Sequence, residues 1–168
     1  MIAPTRYLEK RRILVVDSDE QGCTFFRRIL LAAGIPNELT SCRRTSEAEC
    51  HVEAPPAGLD ADEIGLVFVN LDLPDAEALQ WVQRLRQKAR FSRTAVIGLT
   101  GNLDEDGAGR ARPFGVDAVL EKYPGPATLR SVTARALRER TLAARPGPRR
   151  VDALTPAYAT GTAFWQQP

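Results

Sequence analysis

The chain has 168 residues, 43% of them apolar and 26% charged, which suits one packed domain and leaves no room within it for a second of full size. Its net charge of +2 is too small to argue by itself for nucleic acid or a membrane surface. That total hides a division of sign. Residues 1–12 carry +3 (Arg6, Lys10, Arg11 and Arg12 against Glu9), residues 126–168 carry +5 (seven arginines against Glu139 and Asp152), and the stretch between them is −6. Cys23, Cys42 and Cys50 are odd in number and lack the paired short spacing of a zinc or redox motif. No apolar run approaches the roughly 20 residues that span a bilayer, and the first residues lack the apolar stretch of a secretory signal. The expectation is a reducing cytoplasm and no membrane partner.

In chain order, Ile13 to Val16 reads as a buried parallel strand. A helix follows, with Ser18 and Gln21 as its capping box and Gly34 as its stop; Phe26, Ile29, Leu30 and Ala33 stripe it. Leu39 to Cys42 is a weaker strand, Ser46 to Val52 a short helix, and Leu66 to Val69 a strong strand. Asp75 is expected to cap a helix lined by Leu79, Val82, Leu85 and Ala89. Ala95 to Leu99 is a further strand, and Asn102 to Arg112 is a poor helix, because Gly107 and Gly109 each cost up to about 1 kcal/mol relative to Ala. Ala118 to Leu120 and a helix striped by Leu129, Val132, Ala136 and Leu137 complete the pattern. Strands alternating with helices predict an α/β fold: a doubly wound, five-stranded parallel sheet, residues 13–140, between a basic extension (1–12) and a Pro/Arg-rich linker and tail (141–168).

In such a sheet, ligands bind beyond the carboxyl ends of the strands. The residues at those positions are Asp17, Ser18 and Asp19, then Asn70 and Asp72, then Thr100, then Lys122. Acids, a hydroxyl and a lysine converging on one edge are what a metal-assisted phosphoryl site needs.

Here the chain resembles the receiver domain of two-component response regulators, a flavodoxin-like (βα)5 fold. The resemblance covers about residues 11 to 140. It rests on Ile13-Leu14-Val15-Val16-Asp17, on Leu66-Val67-Phe68-Val69-Asn70-Leu71-Asp72-Leu73-Pro74, on Ala95-Val96-Ile97-Gly98-Leu99-Thr100, and on Gly115 through Lys122. It implies that two acids after the first strand and a phosphoacceptor Asp after the third hold Mg²⁺. It also implies that the hydroxyl and the lysine contact the phosphoryl group.

The sequence departs from that pattern at the centre. The phosphoacceptor position, four residues before Pro74, is Asn70, whose carboxamide is a poor, uncharged nucleophile. Ser18 stands for the second acid, Val119 for the aromatic switch residue, and Tyr123 for the proline after the lysine. Only Asp17, Thr100 and Lys122 match. Asp17 and Lys122 together sum to zero charge, or −1 if Asp19 turns inward, so weak Mg²⁺ binding at Asp17 is the most expected and no cofactor is required. The expected arrangement has Lys122 paired with Asp17 and with the Asn70 carbonyl. Asp72, two residues beyond Asn70, is the rival acceptor, although the family's side chain there faces away.

Two sharper readings are set aside. Cys50 and His51 are helix neighbours that point in different directions. The calcium-like run from Asn102 to Gly107 lacks its bidentate Glu, since that position is Pro113. The expected function is a stand-alone, non-enzymatic signalling module that binds a sensor kinase, an effector or a second copy of itself, independently of phosphorylation at the usual position. Tyr158, Phe164 and Trp165 are candidate anchors in the tail. The alternatives are a phosphoryl-accepting receiver using Asp72, and an adaptor whose seven C-terminal arginines bind nucleic acid or an acidic partner.

Overall fold

The computed structural model describes residues 8, 11–54, 58, 64–103 and 107–143. The elements are β1 Arg12–Val16, α1 Glu20–Ala32, β2 Leu39–Cys42, α2 Thr45–Glu53, β3 Ile64–Asn70, α3 Glu77–Gln87, β4 Ala95–Thr100, α4 Gly107–Ala111, β5 Ala118–Glu121 and α5 Pro126–Ala143. All the strand pairs are parallel, in the order β2-β1-β3-β4-β5. This is the expected flavodoxin-like receiver fold.

Alternate residues of each central strand feed opposite layers, as the pleat requires. Ile13, Val15, Leu66, Phe68, Ala95 and Ile97 pack with Phe26, Ile29 and Leu30 of α1 and Leu129, Ala136 and Leu137 of α5. Leu14, Val16, Val67, Val69 and Val96 pack with Ala48 and Val52 of α2, Trp81, Val82 and Leu85 of α3, and Ala111 of α4. Apolar residues on both faces explain why these strands read as continuous runs rather than alternating ones.

Several local expectations shift. The N-cap of α1 is Asp19, not Ser18: the Asp19 side chain accepts from the Gly22 N–H at 2.9 Å. A 3₁₀ turn at Pro74–Ala76 precedes α3, so the N-cap position is Ala76, left-handed at φ 54°, and no side chain caps it. Helix α3 stops at Gln87, leaving Ala89 exposed in a second 3₁₀ turn, while Trp81 takes the fully buried place. Among the described residues, helix α4 spans Gly107–Ala111 and contains both glycines. The terminal boundaries also move. Leu8, expected in the basic extension, is fully buried, and the Asn37 amide donates to the carbonyls of Leu8 and Arg11, each at 2.8 Å.

An ionic cluster ties the opposite edge of the sheet together. The Asp117 carboxylate accepts from Arg86 of α3 at 2.8 Å, from Arg140 of α5 at 2.5 Å, and from the Val96 N–H at 2.8 Å. Arg86 also donates to the carbonyls of Gly115, Phe91 and Thr94. Burial, partly offset by Asp117, brings the Arg86 guanidinium down to about 10, still fully charged at neutral pH. Gly115 sits at φ 98°, where a Cβ would lie 2.6 Å from Arg86 Cγ. Arg140, read from the sequence with the exposed C-terminal arginines, is a structural residue.

Removing Asp117 strands two cations that have given up much of their water. Asp117→Ala is expected to lower the unfolding free energy by about 3–5 kcal/mol, read from urea denaturation; a loss under about 1 kcal/mol would reduce the cluster to a surface pair.

Candidate functional site at the carboxyl edge of the sheet

Four strand ends meet where the sequence places the site. Asp17 follows β1, Asn70 ends β3, Thr100 ends β4, and Lys122 follows β5. Asp17 is 3% exposed and Asn70 6%, so each polar atom there needs a partner. Lys122 Nζ lies 2.8 Å from Asp17 Oδ2. The other carboxylate oxygen, Oδ1, accepts from Asn70 Nδ2 at 3.1 Å and from the Asp19 N–H at 3.2 Å.

The Asn70 carbonyl does not meet Lys122, contrary to expectation. It accepts instead from the Asp72 N–H at 2.9 Å, closing a turn of the kind Asn side chains favour. The amide is therefore held from both ends: Asp17 requires its NH₂ and the Asp72 N–H requires its oxygen, which fixes its orientation. Leu71 continues the ladder by donating its N–H to the Leu99 carbonyl at 2.8 Å and lies over Gly98, where a Cβ would be 2.5 Å from Leu71 Cδ1. That close approach carries the chain after β3 across the end of β4.

Asp72 is exposed, yet its carboxylate is turned toward β4 rather than away. Oδ1 accepts from the Thr100 hydroxyl at 2.7 Å, and Oδ2 from the Gly101 N–H at 2.7 Å. Asn102 N–H donates to Thr100 Oγ1 at 3.2 Å, and of the two acceptors within reach of the hydroxyl, Asp72 at 2.7 Å is nearer than the Asn102 carbonyl at 3.3 Å.

Asp19 does not turn inward. It caps α1, and its Oδ2 accepts from the Tyr123 hydroxyl at 2.8 Å. The Gly22 N–H and then Tyr123 hold the Asp19 carboxyl below its ordinary range, and Asp19 in turn pushes Tyr123 up to about 12. A Cβ on Gly22 would be 2.1 Å from the Tyr123 oxygen, so this contact needs glycine there. Tyr123 also meets Phe25 edge-on, ring centres 5.5 Å apart, and both rings are exposed. In the sequence, Tyr123 stands out only as the residue in place of a proline. Gly22, in the first turn of α1, carries no signal without the fold.

Ser18 lies outside this network, in an open cleft of about 530 Å³ with Arg43, Arg44, Glu47, Leu73, Pro74 and Glu77. Val119 packs half-buried against the core layer of α2, α3 and α4. Cys50 is exposed and His51 half-buried. Arg130, Arg135 and Arg138 are exposed. Tyr158, Phe164, Trp165, Arg145, Arg149 and Arg150 lie outside the described residues.

A magnesium ion fits this arrangement poorly. It requires a near-octahedral shell of oxygens at about 2.0–2.1 Å. An ion at Asp17 would meet an ammonium and an amide NH₂, both donors, and the Asn70 oxygen is turned to a backbone N–H. Among the described residues, no three His, Cys, Asp or Glu side chains are grouped to hold a metal.

No protein-family profile matches the chain, and no curated protein does. Solved structures do. It is similar to a response regulator receiver domain protein from Clostridium thermocellum (22% identity, 79% of this chain, 98% of that one, TM-score 0.62). A response regulator receiver domain protein from Methanospirillum hungatei matches at 21% identity (79% and 98%, TM-score 0.62), and a response regulator from Thermotoga maritima at 19% (77% and 98%, TM-score 0.62). Likeness at this identity establishes the shared fold. No helix among the described residues is long and apolar enough to cross a membrane.

The Tyr123–Asp19 contact has a pH signature. Because the folded-state value is raised above the ordinary 10, its contribution to stability is full below that pH and is lost as pH rises toward about 12. Ultraviolet titration, with Tyr123→Phe as the difference reference, is expected to place this phenol above the other tyrosines and to bring it down in Asp19→Asn. A Tyr123 signal unmoved by Asp19→Asn would contradict the contact.

Proposed function

We propose that the chain is a response-regulator-like signalling module that acts through protein–protein contacts, its state set by its own side chains rather than by phosphorylation at the usual position. The observation that carries this reading is the bonding of Asn70. The residue at the phosphoacceptor position is an amide whose two ends are both engaged, beside a carboxylate already neutralised by Lys122. A phosphoryl acceptor needs a free anionic oxygen in line with its donor, and a metal to draw that donor in. Neither requirement is met by the residues at position 70 and its neighbours.

Asp72 is the remaining carboxylate on this side of β3, but as a nucleophile it would first have to release both the Thr100 hydroxyl and the Gly101 N–H. The partner implied is another signalling protein, a sensor kinase or a downstream effector, reading the loops at this edge. The fold likeness to receiver domains supports the class of partner. The exposed Phe25 and Tyr123 rings beside the pocket provide apolar surface for it.

Incubation with acetyl phosphate and Mg²⁺ followed by intact-mass measurement tests the proposal. The unmodified chain is expected to gain no phosphoryl mass. A stable gain would overturn the phosphorylation-independent reading, and a gain confined to Asn70→Asp would identify Asn70 as the block.

A further inference from the structure

Thr100 and Gly101 offer two donors, a hydroxyl and a backbone N–H, that converge on one point beyond the end of β4. Converging donors of this kind form a small anion site, because each N–H or O–H aimed at the same place adds to a local positive potential. That point is occupied by the Asp72 carboxylate, one oxygen on each donor, both at 2.7 Å. The carboxylate comes from the turn after β3, and the turn is itself held by the Asn70 side chain and by Leu71 on Gly98. We infer that Asp72 is a built-in anion: it fills a site formed by Thr100 and Gly101 and thereby holds the start of the loop after β4, residues 101–103, in one position.

Three features support this. Both carboxylate oxygens are used, so the side chain is oriented rather than merely nearby. Among the described residues α4 spans Gly107–Ala111 and contains two glycines, so its own helical propensity is low. The start of the loop has contacts of its own, and Asp72 supplies the charged one. Finally, the Asp72 contacts join the Asp17–Asn70 contacts through the turn. One hydrogen-bonded series therefore runs from Lys122 through Asp17, Asn70 and Asp72 to Thr100, crossing the ends of β5, β1, β3 and β4.

The inference deepens the proposed function and rests on it in one respect: a loop held by a resident carboxylate is a fixed output only if no phosphoryl group competes for the same donors. A pre-filled site also predicts that a free oxyanion has no access to Thr100 and Gly101 until the carboxylate is removed. Acetate and inorganic phosphate share the required chemistry, and acetate is the closer replacement for the missing side chain.

Amide hydrogen exchange and ¹⁵N–¹H spectra of the full chain test this. In Asp72→Ala, the Gly101 N–H is expected to exchange about tenfold faster than in the unmodified chain, the scale of one charge-assisted hydrogen bond at an exposed site. Added acetate should slow it again, while the same acetate leaves the Gly101 resonance of the unmodified chain in place. Asp72→Asn, which keeps one carbonyl oxygen but no charge, should lie between the two and serves if the alanine variant does not fold. Unchanged Gly101 exchange in both variants, or an acetate response equal in variant and unmodified chain, would overturn the inference. Its failure is separable from failure of the proposed function, which is read from phosphoryl mass on the unmodified chain and does not involve Gly101.

Discussion

The carboxyl edge of the sheet depends on one side-chain amide. Asn70 must donate to Asp17 and accept from the Asp72 N–H at the same time. A carboxylate of the same shape could perform only the second task, and it would set two negative charges about 3 Å apart in a site that is almost fully buried. Such a pair requires a cation to be tolerable, which is the condition a metal-dependent receiver site accepts. With the amide, Lys122 alone balances Asp17, and the pocket is neutral without any added ion. The residue that removes the nucleophile thus also removes the demand for the metal.

The other two acids are handled at the surface. Asp19 lies at the positive end of α1 and accepts from Tyr123, while Asp72 accepts from Thr100 and Gly101. The −6 charge of the body therefore does not imply a comparably negative pocket. Each acid at the edge has an internal donor matched to it.

Much of the fold was legible because a parallel sheet buried on both sides writes its strands as β-branched apolar runs, and Ile13–Val16, Leu66–Val69 and Ala95–Leu99 all fall within observed strands. Helix starts were less legible. Ser18 and Asp19 are both good caps one residue apart, and it is the Asp19 side chain that accepts from the Gly22 N–H. The stripe expected on α3 omitted Trp81, which lies at helical spacing on the buried face with Ala78, Val82 and Leu85. In the site, the identities of Asp17, Asn70, Thr100 and Lys122 could be read from their places after each strand. The direction of the Asn70 amide, the turn of Asp72 toward β4 and the Tyr123–Asp19 contact across 104 residues could not, since each depends on which donors the fold brings close. The Asp117 cluster was missed for the same reason: Arg86, Asp117 and Arg140 are far apart in sequence and carry no motif.

The central claim is that this pocket balances its own charge, and magnesium titration of the unmodified chain tests it most directly. The amide resonances of Asp17, Asp19, Asn70, Asp72 and Lys122 should show no saturable shift at millimolar Mg²⁺ beyond that caused by matched ionic strength. Saturating shifts confined to these residues would show that Asp17 prefers a metal to Lys122, and would contradict the account.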